Sequence, residues 1–173
     1  TLLKGFFKKI SLAGVVQAWT LTVELTFYVL APWLFWLCRH RSLLLPYVLT
    51  LLTGLLLTAI GFGLSEIGYN PYGFMPDLTF TAWNTFFGRA TEFFAGMGLT
   101  YSIGSEDKAK RLSAPASGFF TYTGLGLFGL LLFIISTESD GSQSGITKWL
   151  GLVLHNLLLP IGIVLLLYGL MRE

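Results

Sequence analysis

Apolar runs about as long as a hydrocarbon core is thick alternate with short polar stretches along this chain. They extend from Trp19 to Cys38, Leu43 to Leu64, Thr81 to Gly104, Pro115 to Ser136 and Trp149 to Met171. A helix rises ~1.5 Å per residue, so about 20 residues cross a core of roughly 30 Å. The pattern predicts an all-α fold, a polytopic transmembrane helical bundle of about five spans forming one domain over residues 1–173. Pro46, Pro115 and Pro160 fall near the starts of these runs or inside them, which is tolerable where neighbouring helices re-satisfy the freed carbonyls. Between the second and third runs, Asn70-Pro71-Tyr72-Gly73 and Pro76 supply turn chemistry. That loop reads either as a roof over a pocket or as a plain connection.

Composition agrees with the pattern. The chain is 54% hydrophobic and 12% charged, against about 25% charge in a soluble domain. Its net charge of +2 does not point to a nucleic-acid partner. The single cysteine, Cys38, excludes an internal disulfide. The chain starts at Thr1 and shows no signal-peptide pattern, which reads as a piece of a longer polypeptide.

Lysine and arginine set the expected orientation. Arg39 and Arg41 lie in the first loop and Lys108, Lys110 and Arg111 in the third, whereas Ser65 to Phe80 has neither residue type. Positive-inside places the Arg39–Arg41 turn and the Lys108–Arg111 loop in the cytoplasm. Trp19, Trp83 and Trp149 then mark the outer interface, and Trp36, Tyr101 and Tyr168 lie towards the inner one. Lys4, Lys8 and Lys9 run against this rule; with Phe6 and Phe7 they fit an interfacial stretch of snorkelling lysines.

Polar residues inside the runs are the candidate chemistry. Glu24, Arg89, Glu92 and His155 fall in a band roughly 7 to 17 Å below the outer surface. A charge there costs several kcal/mol unless it is paired or faces a wet cavity, about 3 kcal/mol by insertion scales. Thr20, Glu24 and Tyr28 share a face at four-residue steps. Thr85, Gly88, Arg89, Glu92 and Gly96 form a second stripe, and Gly151, His155, Leu159 and Gly162 a third. Arg89 suits Glu24 or Glu92 as a bidentate partner. Plainer readings stand beside these: a structural ion pair for Glu24 and Arg89, pairing within one helix for Glu92, a packing histidine at His155 and packing aromatics at Tyr28 and Tyr122. Two histidines and one cysteine, far apart, make no metal site, and no phosphate loop or nucleophile elbow occurs.

The segment from Ala18 to Tyr28, Ala-Trp-Thr-Leu-Thr-Val-Glu-Leu-Thr-Phe-Tyr, followed by Pro32, resembles the Trp-Ser-Leu-x-Val-Glu-x-x-Phe-Tyr motif of the membrane acyltransferase 3 family, the O-antigen-acetylase-like proteins. Arg89-Ala90-Thr91-Glu92-Phe93-Phe94-Ala95-Gly96 resembles that family's Arg-x-x-Glu-Phe-x-x-Gly block. Thr20 stands for the commoner serine, and Leu25-Thr26 for a frequent Glu-Gln pair. The likeness is strongest over Trp19 to Gly98 and covers the carboxy-terminal portion of that family's roughly ten spans; its signature histidine has no counterpart here. The resemblance implies an integral membrane O-acyltransferase of the bacterial inner membrane, taking an acyl group from acyl-CoA to a hydroxyl of an extracytoplasmic carbohydrate. It implies an acyl donor and a carbohydrate acceptor as partners, along with membrane lipid and the amino-terminal helices, no bound cofactor, and a fragment inactive alone. On that reading Glu24, Arg89 and Glu92 are catalytic, while Trp19, Thr20, Tyr28 and His155 contact substrate. The alternative is a transporter or flippase segment whose polar layer binds a solute or relays protons.

Overall fold

The computed structural model describes residues 3–11, 18–40, 42–104, 118–137 and 148–172. The expected Pro115 start of the fourth span, Arg41 and the Lys108–Arg111 loop lie outside these residues. The described chain is all helix and turn with no named strand, an all-α helical bundle. It divides into two compact units, Thr1–Ala90 and Thr91–Glu173.

In the first unit a short turn, Lys4–Phe6, and a one-turn helix, Lys8–Ser11, precede α1, Ala18–His40. Then follow α2, Leu44–Glu66, and the short α3, Leu78–Asn84. Helices α1 and α2, 23 residues each, rise about 34 Å and are long and apolar enough to cross a membrane. Helix α1 runs through Pro32 without interruption. Hydroxyls within the helices bond back to carbonyls four residues earlier, Thr26 to Thr22 at 2.6 Å and Thr58 to Gly54 at 2.8 Å among them. With no water in a bilayer core, that is how an isolated hydroxyl is satisfied.

The loop after α2 is built around Asn70. Its amide Nδ2 donates to the carbonyls of Gly61 at 3.1 Å and Phe74 at 3.0 Å, while Oδ1 accepts the Phe74 N–H at 2.6 Å. Gly61 is required here, because a Cβ would overlap the carbonyls of Phe74 and Met75. Met75, fully buried, takes a positive φ of 35°. That conformation costs of order 1–3 kcal/mol and is held by its N–H bond to the Phe6 carbonyl at 3.0 Å. Asp77 caps α3, accepting the Phe80 N–H at 2.7 Å.

The expected third span is not one helix. Helix α3 ends at Asn84, Thr85 is extended (φ −120°, ψ 155°), and α4, Ala90–Gly104, starts after a non-helical turn. Helix α4 has 15 residues, about 22 Å, and is not among the four helices long enough to span. The break is a packing outcome. Phe86 is fully buried, 6.0 Å from the Phe27 ring and 5.8 Å from Phe87, and Phe87 in turn faces Phe6 at 6.4 Å. A Cβ on Gly54 of α2 would come within 2.5 Å of the Phe87 Cβ, so this glycine admits the phenylalanine. A continuous helix would direct Phe86 and Phe87 about 100° apart around its axis and forfeit one of these contacts.

In the second unit α4 is followed by α5, Phe119–Thr137, then α6, Trp149–Val153, a π-helical turn at Leu154–Leu158, and α7, Leu159–Arg172. Helices α5 and α7 pack along their lengths. A Cβ on Gly124 would strike the backbone of Leu165 and Leu166, and one on Gly169 the backbone of Thr121. Such near-contact of backbones is the small-residue packing that membrane helices use. The run from Trp149 to Met171 is long and apolar enough to cross a membrane, as expected, but with its ladder widened. The Leu159 N–H reaches back five residues to the Leu154 carbonyl, and Pro160, which follows, has no N–H to donate.

Candidate functional site

Trp19 and Arg89 are the sequence-predicted residues that the first unit brings together. The Arg89 guanidinium carbon lies 6.0 Å from the centre of the Trp19 ring, at the limit of a cation–π contact. Trp19 comes from the second residue of α1, and Arg89 from the turn between α3 and α4. What aims the arginine is the break itself. The Thr85 hydroxyl donates to the Thr81 carbonyl at 2.7 Å and accepts the Gly88 N–H at 3.4 Å; Thr81 in turn shares a hydrogen bond with Thr58 at 2.7 Å. A Cβ on Gly88 would overlap the backbone of Thr81 and Ala82, so only glycine closes this turn. Thr85 and Thr22 are each 1% exposed, and the Thr22 hydroxyl accepts the Gly5 N–H at 3.1 Å.

Glu24 is placed otherwise than its expected pairing with Arg89. It is exposed on α1, and among the described residues it forms no ion pair and no side-chain hydrogen bond. The reason is angular: Thr22 and Val23 are the buried positions of this turn, so the side chain one residue on points away from the unit's interior. Thr20 is half-buried on the same turn as Trp19, and Tyr28 is 67% exposed, its ring 5.7 Å from Phe27.

The stripe from Thr85 to Gly96 does not exist as a helix face, because Thr85, Gly88 and Arg89 precede the first turn of α4. Glu92 occupies that first turn, half-buried, where a carboxylate is favoured by the helix dipole. Arg89 belongs to the first unit, and Glu92 and His155 to the second.

His155 lies in the π-helical turn, partly buried, with Nδ1 2.9 Å from Oδ1 of Asn156. With the proton on Nδ1, Nε2 keeps the lone pair that a base or acceptor contact needs. Asn156, 5% exposed, is the polar residue that sequence reasoning passed over. A signal was present: it stands four residues before Pro160, which has no N–H to continue the helical ladder. π-Turns of this kind recur at functional sites. The third stripe survives in part, with Gly151, Leu159 and Gly162 buried beside the half-buried His155.

The chemistry available is therefore a fixed guanidinium on an indole at one end of α1, a carboxylate turned outward one helical turn further along, and an imidazole–amide pair in the second unit. No family model matches the chain, and no curated protein or solved structure matches it.

Proposed function

We propose that the chain is part of an integral membrane O-acyltransferase that moves an acyl group, with acyl-CoA as donor, to a hydroxyl of an extracytoplasmic carbohydrate. The observation carrying this reading is the Arg89–Trp19 contact. It joins the two segments that carry the family resemblance, one at the start of α1 and one after the α3–α4 break. Acyl transfer needs a base near the acceptor hydroxyl and a cation or donor near the developing oxyanion. Arg89, held by the indole, supplies the positive charge, and Glu24, turned outward from the same end of α1, orients the acceptor hydroxyl or the base. Trp19, Thr20 and Tyr28, on the same end of α1, contact substrate. The cytoplasmic side is that of the Arg39–Arg41 turn, and the membrane is the bacterial inner membrane.

The test is acyl transfer from a radiolabelled acyl-CoA to cell-envelope carbohydrate, in membranes where the chain is produced with the amino-terminal helices the resemblance implies. Glu24→Gln and Arg89→Gln are each expected to lower the rate at least 100-fold, the range of a lost positioned acid–base or electrostatic group. Full activity in a correctly inserted Glu24→Gln protein would remove Glu24 from the chemistry. Solute flux into liposomes without acyl transfer would favour the transporter reading, which the broken third span supports.

A further inference from the structure

The Lys4–Ser11 segment lies across the end of the first unit where α1 begins and α2 ends. The Lys8 N–H donates to the Gly73 carbonyl at 2.8 Å, and the Lys9 N–H to the Tyr72 carbonyl at 3.3 Å. With the Met75 N–H on the Phe6 carbonyl, these bonds bind the segment to the Asn70–Asp77 loop along its length. Helix α2 rises about 34 Å over its 23 residues, more than the hydrocarbon thickness, so its Glu66 end and this loop reach the headgroup zone.

The three lysines of the segment are not equivalent. Lys8 pairs with Asp77 at 2.8 Å. Lys9 is exposed and has no ion pair among the described residues. Its backbone partner Tyr72 is 61% exposed, with its ring edge-on to Phe7 at 6.4 Å. Leu3, Ile67 and Tyr69 are exposed on the same end of the unit. An exposed lysine joined through the backbone to an exposed tyrosine, with exposed apolar side chains on the same end of the unit, has the make-up of an interfacial anchor.

We infer that this patch docks on the headgroup of an anionic phospholipid, the Lys9 ammonium and the Tyr72 hydroxyl taking its phosphate. A zwitterionic headgroup carries its own ammonium, which offsets the attraction; an anionic one does not. Neither residue belongs to the proposed transfer site, so this inference stands apart from that reading and is tested without an activity assay.

The experiment places the full chain in phosphatidylcholine nanodiscs with trace spin-labelled phosphatidylglycerol or spin-labelled phosphatidylcholine and measures the motionally restricted fraction of each. The wild type is expected to prefer phosphatidylglycerol by about fivefold, the scale of one lysine at an anionic surface. Lys9→Gln is expected to lower the ratio several-fold, and Tyr72→Phe to reduce it, each with an unchanged unfolding midpoint. Parity of the two lipids in the wild type, or a preference unaltered in Lys9→Gln or in Tyr72→Phe, would overturn the inference.

Discussion

Single side chains in this protein divide into those whose polar atoms are locked inside the unit and those turned out of it. Thr22, 1% exposed, accepts the Gly5 N–H and so secures the amino-terminal segment to α1. Thr22→Val keeps the shape and strands that buried N–H, so the first unit should lose about 1–3 kcal/mol, read from denaturant unfolding in detergent. Asp77 is a surface counterpart with a pH signature. Burial pushes its carboxyl up, but the Lys8 hydrogen bond, the Phe80 N–H and the Lys8 charge together bring it below its ordinary 3.8. A carboxyl depressed on folding contributes stability that is complete above about pH 4 and vanishes as pH falls through the folded value. Asp77→Asn retains a capping side chain and drops the ion pair. It should therefore be less stable than wild type at pH 7, with the two converging as the pH falls through the carboxyl's folded-state value. The gap will be small, because both partners of this pair are well exposed. Glu24 lies at the opposite pole: it is exposed on a helix long and apolar enough to cross a membrane, where a charge that meets lipid costs about 3 kcal/mol.

Among the elements, hydropathy located the membrane helices closely. The expected Leu43 to Leu64 became Leu44–Glu66, and Trp149 to Met171 is occupied by α6, the π-turn and α7. It misplaced the third run, because apolarity is blind to a break whose cause is tertiary. Thr81 to Gly104 is apolar enough throughout, yet Phe86 and Phe87 gain more by entering the space beside Phe27 and Gly54 than by continuing a helix. The glycines of α5 are not equivalent in the structure. Gly124 touches the α7 backbone, whereas Gly126 and Gly129 face open space. Gly124→Leu should therefore separate α5 from α7 and lower the unfolding midpoint sharply, while Gly126→Leu should leave it within about 0.5 kcal/mol of wild type. Equal effects in the pair would show that helix propensity, not contact, governs α5.

For the whole molecule, composition alone established a membrane protein, and four described helices are long and apolar enough to cross. Orientation is a separate matter that charge counting proposes and labelling can test. In a Cys38→Ser background, a cysteine at Ser42 should react with a membrane-impermeant maleimide only after the cytoplasmic face is opened. Reaction in intact cells would invert the proposed topology and move the Lys4–Ser11 segment to the other leaflet. What the chain determined by itself was whatever sums over neighbours in sequence: apolar length and helix. What only tertiary structure decided was direction. Whether Arg89 meets Glu24 or Trp19 depends on rotation about helix axes and on one turn closed by Gly88, set by contacts between residues far apart in the chain. Burial of Thr22 and Val23 turned Glu24 outward, and buried Phe86 broke the helix that would have carried Arg89 elsewhere.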